Sequence, residues 1–199
     1  MKQPKEELLN LPINRFKIDT VIGIDPDVDK SGFAVLQKNV PALEIQALPF
    51  PVLLDELQKH KEFAQANGRN IVVLVEAGWL NKANWHLYTS DTKQSAAAKG
   101  NAAGRNHEVG RKIIEMCQHY GIDVEEIKPL PKVWQGKDRK ITHEELCSFT
   151  GYDKRTNQEG RDAALIAWEW AGLPIRIKTP RATGANTEAV ILKHRKKYK

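Results

Sequence analysis

Four acidic residues carry the chemistry this sequence could perform: Asp25, Glu76, Glu159 and Asp162. Asp25 closes a short apolar run, residues 18–25 (IDTVIGID), and Glu76 follows a second, residues 71–75 (IVVLV). Carboxylates at the ends of adjacent strands crowd one another, and a divalent cation relieves that repulsion most directly. Glu159 and Asp162 are three apart in a helix-forming stretch, so both can face the sheet from one helical side and complete an oxygen-rich cluster. Hard oxygen ligands favour magnesium or manganese over zinc. Two such ions, about 3.5 to 4 Å apart, suit in-line attack of water on a phosphodiester. The expected cofactor is therefore Mg2+ or Mn2+, two ions per site. Taken singly, each acid is what a protein surface ordinarily carries; their joint placement is what points to a metal.

The elements that must hold these acids follow from the hydrophobic pattern. After residues 18–25, a polar turn and residues 31–37 (SGFAVLQ) complete a hairpin, and residues 42–48 supply a third strand. Pro49 and Pro51 close that segment, and residues 52–63 have helical apolar spacing. Residues 71–75 are a β-branched run of the kind buried on both faces. Residues 85–106, rich in Ser, Ala, Lys, Gly and Asn, predict a long mobile loop with at most a turn of helix. Helical periodicity resumes over 107–120, Gly121 ends it, and residues 122–127 form a fifth strand. Thr142 and Glu145 make a capping box for a helix that Gly151 ends. Residues 159–171 form the last strong helix, with an apolar face from Ala163 through Ile166 and Ala167 to Trp170. A short extended piece over 175–178 and a helix around 187–193 complete the α/β pattern.

At 199 residues, 41% hydrophobic and 28% charged, the chain suits one globular domain rather than a disordered or fibrous one. No apolar run is long enough to span a bilayer and no signal-type core follows the charged N-terminus, so a cytoplasmic protein with no membrane partner is expected. Cys117 and Cys147, without CxxC spacing, read as buried thiols rather than a disulfide framework or zinc site. The net charge of +6 favours a polyanionic partner, though weakly by itself. Residues 193–199 (KHRKKYK) concentrate cations at the C-terminus, where a solvated end explains them as well as a DNA contact does.

Residues 23–36 (GIDPDVDKSGFAVL) resemble the first-strand motif of the RuvC-type Holliday junction resolvases, nucleases of the RNase H-like superfamily. Glu76 and residues 159–165 (EGRDAAL) continue the resemblance, which extends over residues 18–171. It implies an RNase H-like mixed five-stranded sheet, with the first three strands antiparallel, the later ones parallel, and helices flanking it. It implies a nuclease domain over 18–178, between an N-terminal extension (1–17) and a basic C-terminal tail (179–199). Asp25 would be shared by both metals, with Glu76, Glu159 and Asp162 completing their shells. The sequence departs from the family where Asp27 replaces a common glycine and where Glu159 stands for an aspartate or histidine; Asp27 and Asp29 are read as turn caps. Trp79, three residues after Glu76, matches an aromatic that inserts near the junction crossover, although it could equally pack the root of the following loop. Trp85 and Tyr88 are weaker candidates for that role. Lys132 and Lys140 resemble lysines that hold the DNA backbone. Arg105, Lys137, Arg139, Lys154 and Arg155 are further candidate nucleic-acid contacts, with Arg161 a plausible neighbour. His107 and His143 are near enough in sequence to these elements to approach the metals, but surface or capping roles fit both.

The resemblance thus implies a structure-selective endodeoxyribonuclease of recombination and repair, acting on branched DNA. Symmetric paired cuts would need two sites, hence a homodimer. Three other readings stay open. A catalytically silent nucleic-acid-binding protein could share the fold, and a related nuclease could act on RNA/DNA hybrids. The Gly-Ile-Asp hairpin also opens actin-like kinases and ATPases, but those need a second lobe for which this chain is too short.

Overall fold

The computed structural model describes residues 13–81 and 92–176. Trp85, Tyr88, the basic tail and the expected helix around 187–193 lie outside them. The strands are β1 (Thr20–Asp25), β2 (Ser31–Gln37), β3 (Ala42–Leu48), β4 (Ile71–Glu76) and β5 (Val124–Ile127). The helices are α1 (Phe50–Ala66), α2 (Lys93–Tyr120), α3 (His143–Thr150) and α4 (Gln158–Trp170). The strands form one mixed sheet in the order β3-β2-β1-β4-β5. β1 pairs antiparallel with β2 and β2 with β3, while β1–β4 and β4–β5 are parallel. This is the RNase H-like arrangement that the resemblance implies.

Strand composition follows from position. β1 and β4, central and covered on both faces, are almost wholly buried, whereas β3 at the edge alternates exposed with half-buried residues. The pleat sorts side chains into two layers. Ile22, Ile24, Val73 and Val75 pack with Leu53 and Leu57 of α1 and Ile113 and Cys117 of α2. Val21, Val72 and Leu74 point the other way, against Ile166, Ala167 and Trp170 of α4. Extending that alternation by one residue pair puts both Asp25 and Glu76 on the α4 side. The parallel register matches Ile24 with Val75, so the two acids that follow end their strands side by side.

Helix α4 reaches the sheet because two strand residues lack side chains. A Cβ on Gly23 would overlap the carbonyl oxygen of Ala163, and one on Gly32 would overlap that of Glu159. The helix backbone therefore rests directly on β1 and β2. Asn157 caps its start, the side-chain oxygen accepting from Gly160 N at 3.0 Å.

One expectation is corrected. The segment expected to be a long loop up to residue 106 is, from Lys93 onward, the first half of a continuous α2 that ends at Gly121 in the left-handed conformation. That half buries no residue, so it leaves no apolar periodicity to read. Ala96, Ala97, Ala98, Ala102 and Ala103 carry it by propensity, and Thr92 caps it by accepting from Ser95 N at 3.1 Å. The capping box of α3 and its left-handed Gly151 stop are present as the sequence predicts. Ahead of β1, Arg15 stacks over Trp170 at 4.8 Å and lies 3.5 Å from Glu125, fastening residues 13–17 to the sheet's β5 edge.

Candidate active site

Asp25 and Glu76 are partly buried at the strand ends, with Asp162 facing them from the second turn of α4. Burial first, then the charges of Glu76 and Asp162, push the Asp25 carboxyl well above the ordinary carboxylate range; Lys140 opposes this and Glu159 adds the smallest contribution. Burial, followed by Asp162, pushes Glu76 up to about 7, against the pull of Lys140 and Lys132. Three of the four predicted acids are thus within strong electrostatic reach of one another. Glu159 stands at their margin.

Asp162 is the most engaged of the four. Its Oδ2 accepts from Lys140 Nζ at 2.7 Å and its Oδ1 accepts from Gln158 Nε2 at 2.8 Å. The Gln158 amide cannot be turned round, because its Oε1 accepts from Arg161 Nη2 at 2.8 Å. Arg161 also donates from Nε to the Ile141 carbonyl at 3.0 Å and from Nη1 to the Thr156 carbonyl at 3.1 Å. It is a clamp between the start of α4 and the preceding segments. Gln158 has no place among the residues the sequence singled out, though its i, i+4 spacing from Asp162 is a readable signal for this pair.

The basic residues divide by environment. Lys140 is turned into the carboxylate cluster, with its side chain 33% exposed. Lys132 is exposed beside Glu76. With Arg139, Lys140, Glu76 and Asp162, it lines a small cavity of about 80 Å³. Lys137 and Arg139 stand exposed on the turn before Lys140, Arg105 is exposed on α2, and Lys154 and Arg155 lie exposed in the loop before α4.

Trp79 is wedged rather than free. Its indole Nε1 donates to Glu126 Oε2 at 3.2 Å, His107 meets it edge-on, and the Arg111 guanidinium lies 5.1 Å from the ring centroid. A Cβ on Gly110 would stand 2.8 Å from the indole, so that glycine admits the ring against α2. Asp27 caps the β1–β2 turn, accepting from the backbone of Asp29 and Lys30. Asn106 ties that turn to α2 through Asp27 Oδ2 and Val28 N. His143 bonds Thr156 and lies 3.4 Å from the sulfur of half-buried Cys147, away from the acids. Cys117 is buried, which pushes its thiol up to about 12.

The chain is similar to the T. thermophilus RuvC structure in complex with a Holliday junction substrate. Identity is 16% and the TM-score 0.36, over 74% of this chain and 89% of that one. It is similar also to a second Thermus thermophilus RuvC structure, at 16% identity and a TM-score of 0.36, over 77% of this chain and 97% of that one. No protein-family model matches the sequence, and no curated protein matches it. What the site can do rests on its own residues.

As they stand, no three or more His, Cys, Asp and Glu side chains among the described residues are gathered into a metal cage. The donor set nevertheless suits a hard divalent cation. Three carboxylates, with Glu159 at their margin, stand near two ammonium groups, and Asp25 and Glu76 are raised first by burial and then by the charge of the neighbouring acids. Among the described residues, no helix is long and apolar enough to cross a membrane.

Proposed function

We propose that this protein is a metal-dependent endonuclease that hydrolyses DNA phosphodiesters, with branched DNA of the four-way-junction type as its substrate. The observation that carries this reading is the crowding of Asp25, Glu76 and Asp162 on one side of the sheet, with more negative charge than Lys132 and Lys140 balance. Asp25, Glu76, Asp162 and, at the margin, Glu159 would hold Mg2+ or Mn2+, two ions by the family's pattern. When bound, such ions supply activation of water and stabilisation of the departing 3′ oxygen.

The chain's own residues have separate tasks. Lys132 meets a backbone phosphate beside Glu76, with Lys137 and Arg139 adding to the same basic rim; Arg105, Lys154 and Arg155 extend it. Arg161 and Gln158 fix the side chain of Asp162. The wedged indole favours Trp79 as a packed support for the segment after β4 over insertion into the junction. Paired cuts across one crossover would require two copies of the chain.

Four-way junctions, flaps, duplex DNA and RNA/DNA hybrids, offered with Mg2+ or Mn2+, test the reading. The expected result is preferential junction cleavage that Asp25→Asn abolishes while binding persists; preferential cutting of the hybrid would overturn the junction assignment. A second reading, a nucleic-acid-binding protein that does not cut, is favoured by the double engagement of Asp162 with Lys140 and Gln158. Junction binding with no cleavage by the parent protein would establish it. Sedimentation with and without junction tests the dimer.

A further inference from the structure

We propose that Lys140 is the resident counter-cation of the carboxylate cluster, and that a divalent ion binding Asp162 displaces its ammonium. This rests on the metal-site reading above. It concerns what the site holds before metal arrives.

Lys140 does not reach Asp162 by chance flexibility. Its backbone is held from the N-terminal side by a tight turn in which Gly136 N donates to the Lys140 carbonyl at 3.0 Å and Lys140 N donates to the Lys137 carbonyl at 3.1 Å. Asp138 and Arg139 in that turn adopt left-handed conformations, φ 55° and 59°, uncommon for residues with side chains. On the other side, Ile141 is buried and its carbonyl accepts from Arg161. The stem between these supports aims Nζ at Asp162 Oδ2.

The contact is also unlike a surface ion pair. The Asp162 side chain is 16% exposed, and Asp25 and Glu76 act on the same ammonium. Gln158 takes the other oxygen of Asp162, and each oxygen keeps a second lone pair, but a divalent ion on this carboxylate would stand within a few ångströms of the Lys140 ammonium and repel it. Gln158 is locked by Arg161, whereas Lys140 is repelled by any divalent cation placed among the acids. The ammonium is the partner that leaves. Once released, it is free to meet a substrate phosphate, so that metal loading and phosphate binding would draw on the same side chain in turn.

The test uses Mn2+ alone as probe and the whole chain, with binding followed by electron paramagnetic resonance and calorimetry. Lys140→Met, which keeps the length of the stem, is expected to bind Mn2+ at least about tenfold more tightly than the parent, because a repelled neighbour has been removed. Lys140→Arg, which keeps the charge, should stay close to the parent. Thermal melts in chelator confirm that both variants fold; Lys140→Gln serves if the methionine variant does not. Equal or weaker Mn2+ binding by Lys140→Met overturns the displacement role while leaving the metal site standing. No Mn2+ binding by the parent and all variants overturns both. Cleavage lost in Asp25→Asn but unaffected Mn2+ affinity in Lys140→Met separates the two conclusions.

Discussion

Gly23 of β1 lies directly beneath the carbonyl oxygen of Ala163, close enough that a methyl group on Gly23 would overlap it. Backbone cannot rotate aside as a side chain does, so Gly23→Ala must lift α4 from the sheet. A cost of about 2 to 4 kcal/mol is expected, lowering Tm by roughly 5 to 15 °C for a chain of this size. Gly100, in the solvated half of α2, meets nothing within 4 Å. Gly100→Ala should instead stabilise by about 0.5 to 1 kcal/mol through helix propensity. Melts of the two variants giving the same sign would contradict this account of α4 seating.

The raised carboxyl of Glu76 sets a pH dependence of stability. Its folded-state value, about 7, lies above the ordinary value of 4.5, so the folded protein holds the proton more tightly than the unfolded chain between those limits. The stabilisation this provides is complete below pH 4.5 and is lost as pH rises through 7. In chelator, Glu76→Gln should be more stable than the parent at pH 8, by on the order of 3 kcal/mol, and indistinguishable near pH 4. Added Mg2+ should raise the parent's Tm at pH 8 and have little effect on Glu76→Gln. Denaturant titrations at the two pH values check both statements; a parent more stable at pH 8 than its glutamine variant would refute them.

Lys132 and Arg161 are both basic and near the acids, yet opposite effects are expected of them. Lys132→Ala removes an exposed cation: the salt slope of DNA binding should fall by about one unit with little change in Tm. Arg161→Ala breaks the clamp on Ile141, Thr156 and Gln158, so Tm should fall by an amount corresponding to about 2 to 4 kcal/mol with the salt slope unchanged. Binding isotherms at several salt concentrations, beside melts, distinguish the pair.

Trp79 is expected to behave as a packed residue. Trp79→Ala should cost about 2 to 4 kcal/mol, and Trp79→Phe considerably less. The indole as a DNA wedge would give another pattern: unaltered stability in both variants, with loss only of the fluorescence change of 2-aminopurine placed at the junction crossover. That pattern would sink the packing assignment.

Asp25 and Glu76 are legible in the sequence because each ends an apolar run, and alternation along a strand decides which face an end residue takes. The α4 pair is readable from helical spacing, although spacing alone does not reveal that Glu159 sits further out than Asp162. The first half of α2 is invisible to periodicity because nothing packs on it. The role of Lys140 is hidden for a different reason: it depends on two consecutive left-handed residues, Asp138 and Arg139, neither of them glycine. Trp79 is ambiguous in sequence because its partners, Gly110 and Glu126, are remote along the chain.

The pairing of Ile24 with Val75 makes the placement of Glu76 a question of odd and even. One residue inserted within β4 would carry the carboxylate through the sheet to the α1 and α2 side, and would exchange the two sets of buried valines as it did so. Two residues would restore the side but carry the acid about 7 Å beyond Asp25. Length can vary in the turn between α1 and β4 without touching that arithmetic. Within the strand itself, the smallest possible edit is also one of the most disruptive.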